Sequence, residues 1–169
     1  RSKGFYFVEL EAEVQELSGN RINIIYTVDL GKRAKIEKIF FIGDKKIKDS
    51  KLRRIITSEE SNVWKFISQS KYLNAQRLKL DERLLKNYYR NKGYYEVEVN
   101  SSNVEYSEGE GFILTFNINA GKRYRFKKAY VNVSEDLEKE PFLGLNKDFK
   151  EIVGTYYSPK KLTDILNKI

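Results

Sequence analysis

The chain has 169 residues, a net charge of +8 and no Cys, His or Met. Disulfide frameworks, thiol nucleophiles, zinc fingers and His-based acid–base catalysis are therefore excluded. The missing Met implies that the chain does not begin at a natural start codon, and no apolar run approaches the ~18 residues that cross a bilayer.

Taken in chain order, the first landmark is Gly4-Phe5-Tyr6-Phe7-Val8-Glu9-Leu10-Glu11. A polar turn follows, then the run Ile22-Asn23-Ile24-Ile25-Tyr26-Thr27-Val28, then Gly31-Lys32-Arg33. The same order returns about ninety residues later, and a fixed offset of this kind marks an internal repeat. Its second copy is Gly93-Tyr94-Tyr95-Glu96-Val97-Glu98-Val99-Asn100, then Phe112-Ile113-Leu114-Thr115-Phe116-Asn117-Ile118, then Gly121-Lys122-Arg123. Apolar alternation bounded by turns reads as a β-hairpin each time. Residues 1–33 thus read as the C-terminal hairpin of one repeat, 34–121 as a complete repeat, and 122–169 as the N-terminal strand and helices of a third.

Inside the complete repeat, Ile39-Phe40-Phe41-Ile42 is too short for a helix and reads as a buried strand bounded by Gly43-Asp44. Asp49 fits the N-cap of a short helix carrying Leu52, Ile55 and Ile56. A loop follows with Glu59, Glu60, the sole Trp (Trp64), expected to pin it to the core, and Phe66. The recurrence of Leu78, Leu84, Leu85, Tyr88 and Tyr89 predicts a helix from about Asn74 to Lys92, ended by Gly93 in a left-handed conformation. In the next strand the apolar positions are odd at Val97 and Val99 but even at Val104 and Tyr106. A strand alternates with a period of two, so the change of phase requires an inserted residue, a bulge near Ser101-Ser102-Asn103.

Ser107-Glu108-Gly109-Glu110-Gly111 has the chemistry of a turn, and the returning strand directs Phe112, Leu114, Phe116 and Ile118 inward. A further strand is expected over Tyr124–Val133, with helices near Lys147–Val153 and Pro159–Ile169, the second opened by Ser158-Pro159. The fold class is α+β: tandem β-α-α-β-β units, each a three-stranded sheet covered on one face by two helices.

The run Ile36-Glu37-Lys38-Ile39-Phe40-Phe41-Ile42-Gly43-Asp44 resembles the opening strand and turn of a POTRA domain. Leu84-Leu85-Lys86-Asn87-Tyr88-Tyr89-Arg90-Asn91-Lys92-Gly93-Tyr94-Tyr95 resembles that domain's second helix and its Tyr-x-x-x-Gly-Tyr exit. The Gly-Lys-Arg joints sit where the family links one domain to the next. The tandem order is most similar to the POTRA domains of the BamA family of outer-membrane-protein assembly factors. That resemblance implies a location on the periplasmic face of the bacterial outer membrane and a C-terminal β-barrel in the parent chain. It implies nascent outer-membrane proteins and accessory assembly lipoproteins as partners. Barrel-linked transporters for secretion or organelle import use the same module and form a neighbouring alternative.

Catalysis is poorly served. Glu96 and Glu98 are spaced like a carboxylate pair, but Val97 and Val99 claim the inward face, leaving the glutamates in solvent. No Gly-rich phosphate loop and no metal-binding carboxylate cluster occurs, so no catalytic residue, cofactor or metal is expected. Two candidate surfaces stand out instead. One is the strand Glu96, Val97, Glu98, Val99, Asn100, Ser101, Ser102, Asn103, Val104, Glu105 and Tyr106. At the edge of its sheet it would template another extended chain through main-chain hydrogen bonds, with Glu96, Glu98 and the bulge discouraging self-pairing.

The other surface is a basic stretch of Lys32, Arg33, Lys35, Lys38, Lys45, Lys46, Lys48, Lys51, Arg53 and Arg54, opposed only by Glu37, Asp44 and Asp49. It suits an anionic membrane surface or acidic partner. A basic α+β nucleic-acid-binding module is the alternative function. Against that reading, Phe41, Tyr88, Phe112 and Phe116 fall in core phase, and no RNA-recognition motif appears. The incomplete repeats at the two ends also suggest head-to-tail association of copies.

Overall fold

The computed structural model describes residues 5, 8–31, 33–61, 69–107, 111–136, 138 and 140–168. Lys32, Trp64, Phe66 and the centre of the turn at 108–110 lie outside the described residues. At the N-terminus, β1 (Glu9–Leu17) and β2 (Arg21–Asp29) form an antiparallel hairpin. Period-2 alternation puts Leu10, Ala12 and Val14 opposite Val28, Tyr26 and Ile24, so one face is apolar and solvent-exposed. Glu9, Glu11 and Glu13 take the other face.

The middle of the chain is a sheet of order β3-β5-β4, with β3 at Ile36–Asp44, β4 at Glu98–Ser107 and β5 at Gly111–Asn119. Strand β5 runs parallel to β3 and antiparallel to β4. Helices α1 (Asp49–Leu52) and α2 (Ala75–Arg90) cover one face. The core between them holds Ile36, Ile39 and Phe41 of β3, Val99 of β4, the inward row Phe112, Leu114, Phe116 and Ile118 of β5, Leu52 of α1, and Leu85 and Tyr89 of α2. The Phe41 and Phe116 rings stack with centroids 5.6 Å apart. Each such side chain contributes about 1.5–3 kcal/mol by leaving water.

Expectation and structure differ at two points here, the run Ile39–Ile42 and the cap of α1. Phe40 and Ile42 are each 46% exposed. The run Ile39–Ile42 therefore alternates, because the helices cover only one side of the sheet. Ile36 and Ile39 both face inward, although three residues apart, because the ladder slips between Ile36 and Lys38. The N-cap of α1 is Lys48, and Asp49 is its first helical residue, paired with Lys45 at 2.5 Å.

Helix α2 begins where the side chain of Asn74 accepts the Gln76 and Arg77 N–H groups. It ends in a Schellman pair: the Gly93 N–H donates to Arg90 O (3.0 Å) and the Tyr94 N–H to Tyr89 O (3.1 Å), with Gly93 at φ +99°. Its buried line is Asp81, Leu85, Tyr89. Burial pushes the Tyr89 phenol well above the usual tyrosine range, and its hydroxyl donates to Lys45 O.

Asp81 is fully buried and holds the loop after α1. One carboxylate oxygen accepts the Thr57 N–H (2.6 Å) and hydroxyl (2.7 Å), the other the Ser58 N–H (3.1 Å). Asp81→Ala leaves these donors without their acceptor and is expected to cost about 2–4 kcal/mol in denaturant unfolding. Asp81→Asn, which keeps one acceptor oxygen, is expected to fall between that and the parent. Equal stability of all three would show that the carboxylate does not hold the loop.

The C-terminal part has helices α3 (Leu143–Ile152) and α4 (Pro159–Leu166), close to expectation, with Ser158 accepting the Lys161 N–H as cap. The strand expected over Tyr124–Val133 does not form. No neighbouring strand is present there among the described residues. The backbone groups of Phe126 bond instead to Thr155 O and Gly154 N, and the Val131 N–H to the side chain of Asn146. Phe126, Ala129 and Val131 pack directly on α3 and α4, against Leu145, Phe149, Ile152 and Ile165.

Candidate functional site

A three-stranded sheet has two edges, and here they differ. On the outer side of β3, the Ala34 carbonyl accepts from the Leu73 N–H (3.0 Å) and the Ile36 carbonyl from the Ser61 N–H (2.6 Å). The Ile39 N–H donates to the Glu60 carboxylate (2.8 Å), and the Ile39 carbonyl accepts from the Arg53 guanidinium (2.6 Å). Glu60 and Arg53 are themselves an ion pair. The two side chains thus occupy the donor and acceptor that a fourth strand would use. Arg53, one of the basic stretch, is thus engaged at this edge together with Glu60 of the following loop.

The other edge is β4, which among the described residues pairs with β5 alone. The Phe112 N–H bonds to Lys35 O (2.8 Å) and the Ala120 N–H to Asp44 O (3.0 Å), so even-numbered residues of β5 face β3 and odd-numbered ones face β4. Their partners Glu98, Asn100 and Asn103 therefore turn their backbone groups toward β5. Val99, Ser101 and Val104 direct theirs away from the sheet. Between Ser101 and Asn103 the register shifts by one residue, so Ser102 is the bulge that the change of apolar phase required.

The strand begins at Glu98, and Glu96 and Val97 precede it. Glu96 does not share a strand face with Glu98: it lies in the turn after α2 and accepts the Tyr124 hydroxyl at 2.8 Å, which raises the Tyr124 phenol. Val97 and Val99 are buried, while Glu98, Asn100, Glu105 and Tyr106 are exposed.

The basic stretch does not form one patch. Lys45 pairs with Asp49, Lys46 with Asp44 (2.8 Å), and Lys51 lies over the Tyr88 ring. Arg33 lies between the rings of Phe5 and Tyr72. Lys35, Lys38, Lys48 and Arg54 are exposed. A better organised cationic feature is carried by α2. Lys79, Arg83, Lys86 and Arg90 follow at intervals of four, three and four, one stripe at 3.6 residues per turn that flanks the buried line Asp81, Leu85, Tyr89, with Lys86 half-buried and the other three exposed. The spacing was readable in the sequence, but counting charges by stretch hides it.

The comparisons with known proteins agree with this architecture. The family model named POTRA, described as surface antigen variable number repeat, matches residues 34–121, just over half of the chain. A protein of Neisseria meningitidis serogroup B called outer membrane protein assembly factor BamA is 27% identical over 168 residues, covering 99% of this chain and 21% of that protein. A protein of the same name from Neorickettsia risticii is 30% identical over 121 residues, covering 72% of this chain and 16% of that one. The chain spans about a fifth of the length of these relatives. The crystal structure of Haemophilus influenzae BamA POTRA3-5 superposes with a TM-score of 0.60 at 15% identity, over 99% of this chain and 63% of that one, a likeness of fold. With its β-α-α-β-β order and the match across the middle unit, the chain belongs to the POTRA family.

Proposed function

We propose that this chain is a scaffold segment of an outer-membrane-protein assembly factor, one complete POTRA repeat flanked by parts of two others. It holds extended polypeptide by strand addition along β4. The observation that carries this reading is the asymmetry of the sheet. At the β3 edge Arg53 and Glu60 occupy the Ile39 backbone groups, and among the described residues the β4 edge has a ladder on one side only. Strand addition takes its affinity from main-chain bonds and makes few demands on side chains, which suits many different unfolded β-strand clients. Nascent outer-membrane proteins and accessory lipoproteins are the clients and partners in this reading, on the periplasmic face of the outer membrane beside the parent chain's barrel. The name of the relatives supports it. The α2 stripe favours a second contact, with an anionic membrane surface, on the face away from the sheet.

An amide NMR titration of the 169-residue chain with a peptide copied from an outer-membrane β-strand tests the proposal. Shifts along Glu98–Tyr106 are expected. Shifts confined to Lys79, Arg83, Lys86 and Arg90, and abolished by salt, would assign the contact to charge alone. No shifts at ~1 mM peptide would sink strand addition.

A further inference from the structure

The two Gly-Lys-Arg segments build the same three-part contact. At the first, the Arg33 guanidinium sits 5.1 Å from the Phe5 ring centroid and 4.9 Å from that of Tyr72. At the second, Arg123 sits 3.3 Å from Tyr156 and 5.7 Å from Tyr94. In each case one ring (Phe5, Tyr94) comes from the unit before the joint, just after its glycine. The other (Tyr72, Tyr156) comes from the unit after it, two residues before the helix cap (Asn74, Ser158). The surrounding backbone matches as well. Lys35 bridges Tyr72 as Arg125 bridges Tyr156. The Leu73 N–H donates to Ala34 O (3.0 Å) as the Tyr157 N–H donates to Tyr124 O (3.0 Å). Gly31 and Gly121 both take positive φ, +59° and +66°.

Arginine stacked on an aromatic face is common on protein surfaces. The same arginine gripped by corresponding rings, with corresponding hydrogen bonds, at two joints ninety residues apart is a repeated design. At the second joint the Arg123 Nε–H also donates to Lys92 O (2.6 Å), and the Tyr124 N–H to Gly93 O (2.8 Å). Asn91 accepts from the Ser158 hydroxyl and the Lys160 N–H, both at 2.9 Å.

We propose that Arg33 and Arg123 are clasps: each is held between an aromatic ring of one unit and a tyrosine of the next, and together they fix the angles between successive units. The surface on either side of each joint is thus an interaction site whose partner is the next unit of the same chain. This inference does not depend on what β4 binds.

The chain has no cysteine, so introduced pairs are its only thiols. Spin labels at Thr27→Cys and Asn87→Cys span the first joint, and labels at Asn87→Cys and Asp164→Cys the second. All three positions are exposed. Narrow distance distributions are expected in the parent chain. Arg123→Ala is expected to widen the second distribution at least twofold and leave the first unchanged, and Arg33→Ala to do the reverse. Unchanged widths, with the amide spectrum of the middle unit intact, would overturn the proposal. Should Arg123→Ala lose the signals of α4, Arg123→Lys takes its place, keeping the charge but dropping the planar fork. Widening then supports the clasp and an unchanged width refutes it.

Discussion

Replacing Ser101 by proline is expected to weaken binding of a β-strand peptide at least tenfold while the protein's own unfolding shifts by no more than about 1 kcal/mol. Proline removes an N–H, and at Ser101 that N–H points away from β5, so no ladder bond inside the sheet is lost. Asn100 before it is already in a strand, the conformation a residue preceding proline prefers. An incoming strand, by contrast, loses a donor and meets the pyrrolidine ring. The absent bond and the clash together cost about 1.5–3 kcal/mol, which is roughly tenfold to a hundredfold in affinity. Calorimetric titration of both chains reads the effect. Equal affinities would place the client elsewhere. The bulge at Ser102 sits beside this position, so Val104→Pro, on the other side of it, is the matching variant.

The largest effect on stability is expected from Gly43→Ala, about 2–5 kcal/mol. Gly43 closes β3 at φ +87°, where any side chain costs about 1–2 kcal/mol. A Cβ there would also lie 2.4 Å from the Ile118 carbonyl oxygen and 2.6 Å from the Asn117 side-chain oxygen. The first of these is backbone of the central strand and has no rotamer to escape into, so overpacking adds about 1–3 kcal/mol. Gly121→Ala provides the comparison: its φ is +66°, but nothing lies within 4 Å of the added carbon, so only the conformational term of about 1 kcal/mol applies. Thermal unfolding of the two variants should separate them by several degrees, about 2–4 °C for each kcal/mol of overpacking. A Gly43→Ala protein as stable as Gly121→Ala would show that β3 shifts freely against β5.

What could be read from the sequence was what depends on neighbours along the chain. The alternation of β1, β2 and β5, the 3.6-residue recurrence in α2 and the change of phase that places the bulge at Ser102 are all local, and each had the expected outcome. The missing strand at Tyr124–Val133 shows the limit. Alternation makes a segment fit for a ladder, but a ladder needs a second strand, and here the backbone groups bond instead to Gly93, Gly154, Thr155 and Tyr157 and to the Asn146 side chain. Phe40 and Ile42 lie in an apolar run yet face solvent, because only the tertiary arrangement says that one side of the sheet is bare.

The candidate site divides the same way. That β4 forms a hairpin with β5 follows from the order of the elements, but that β5 and not β4 takes the centre beside β3 is seen only in the folded sheet. That the opposite edge is closed does not follow either, because it rests on Arg53 and Glu60 reaching across a folded loop to the Ile39 backbone. Asp81 was illegible for the same reason: its partners Thr57 and Ser58 are far away in sequence and next to it only in the folded unit. Glu96 looked like half of a carboxylate pair and is instead tied to Tyr124 at the joint.

The most direct test of strand addition at β4 is amide hydrogen exchange of the whole chain with and without a saturating β-strand peptide. In the free protein the Val99, Ser101 and Val104 amides, directed away from the sheet, should exchange much faster than their inward neighbours Asn100 and Asn103. Bound peptide is expected to slow those three at least tenfold and to leave Asn100 and Asn103 nearly unchanged. Peptide bound at saturation with the three still exchanging at their free rates would contradict it.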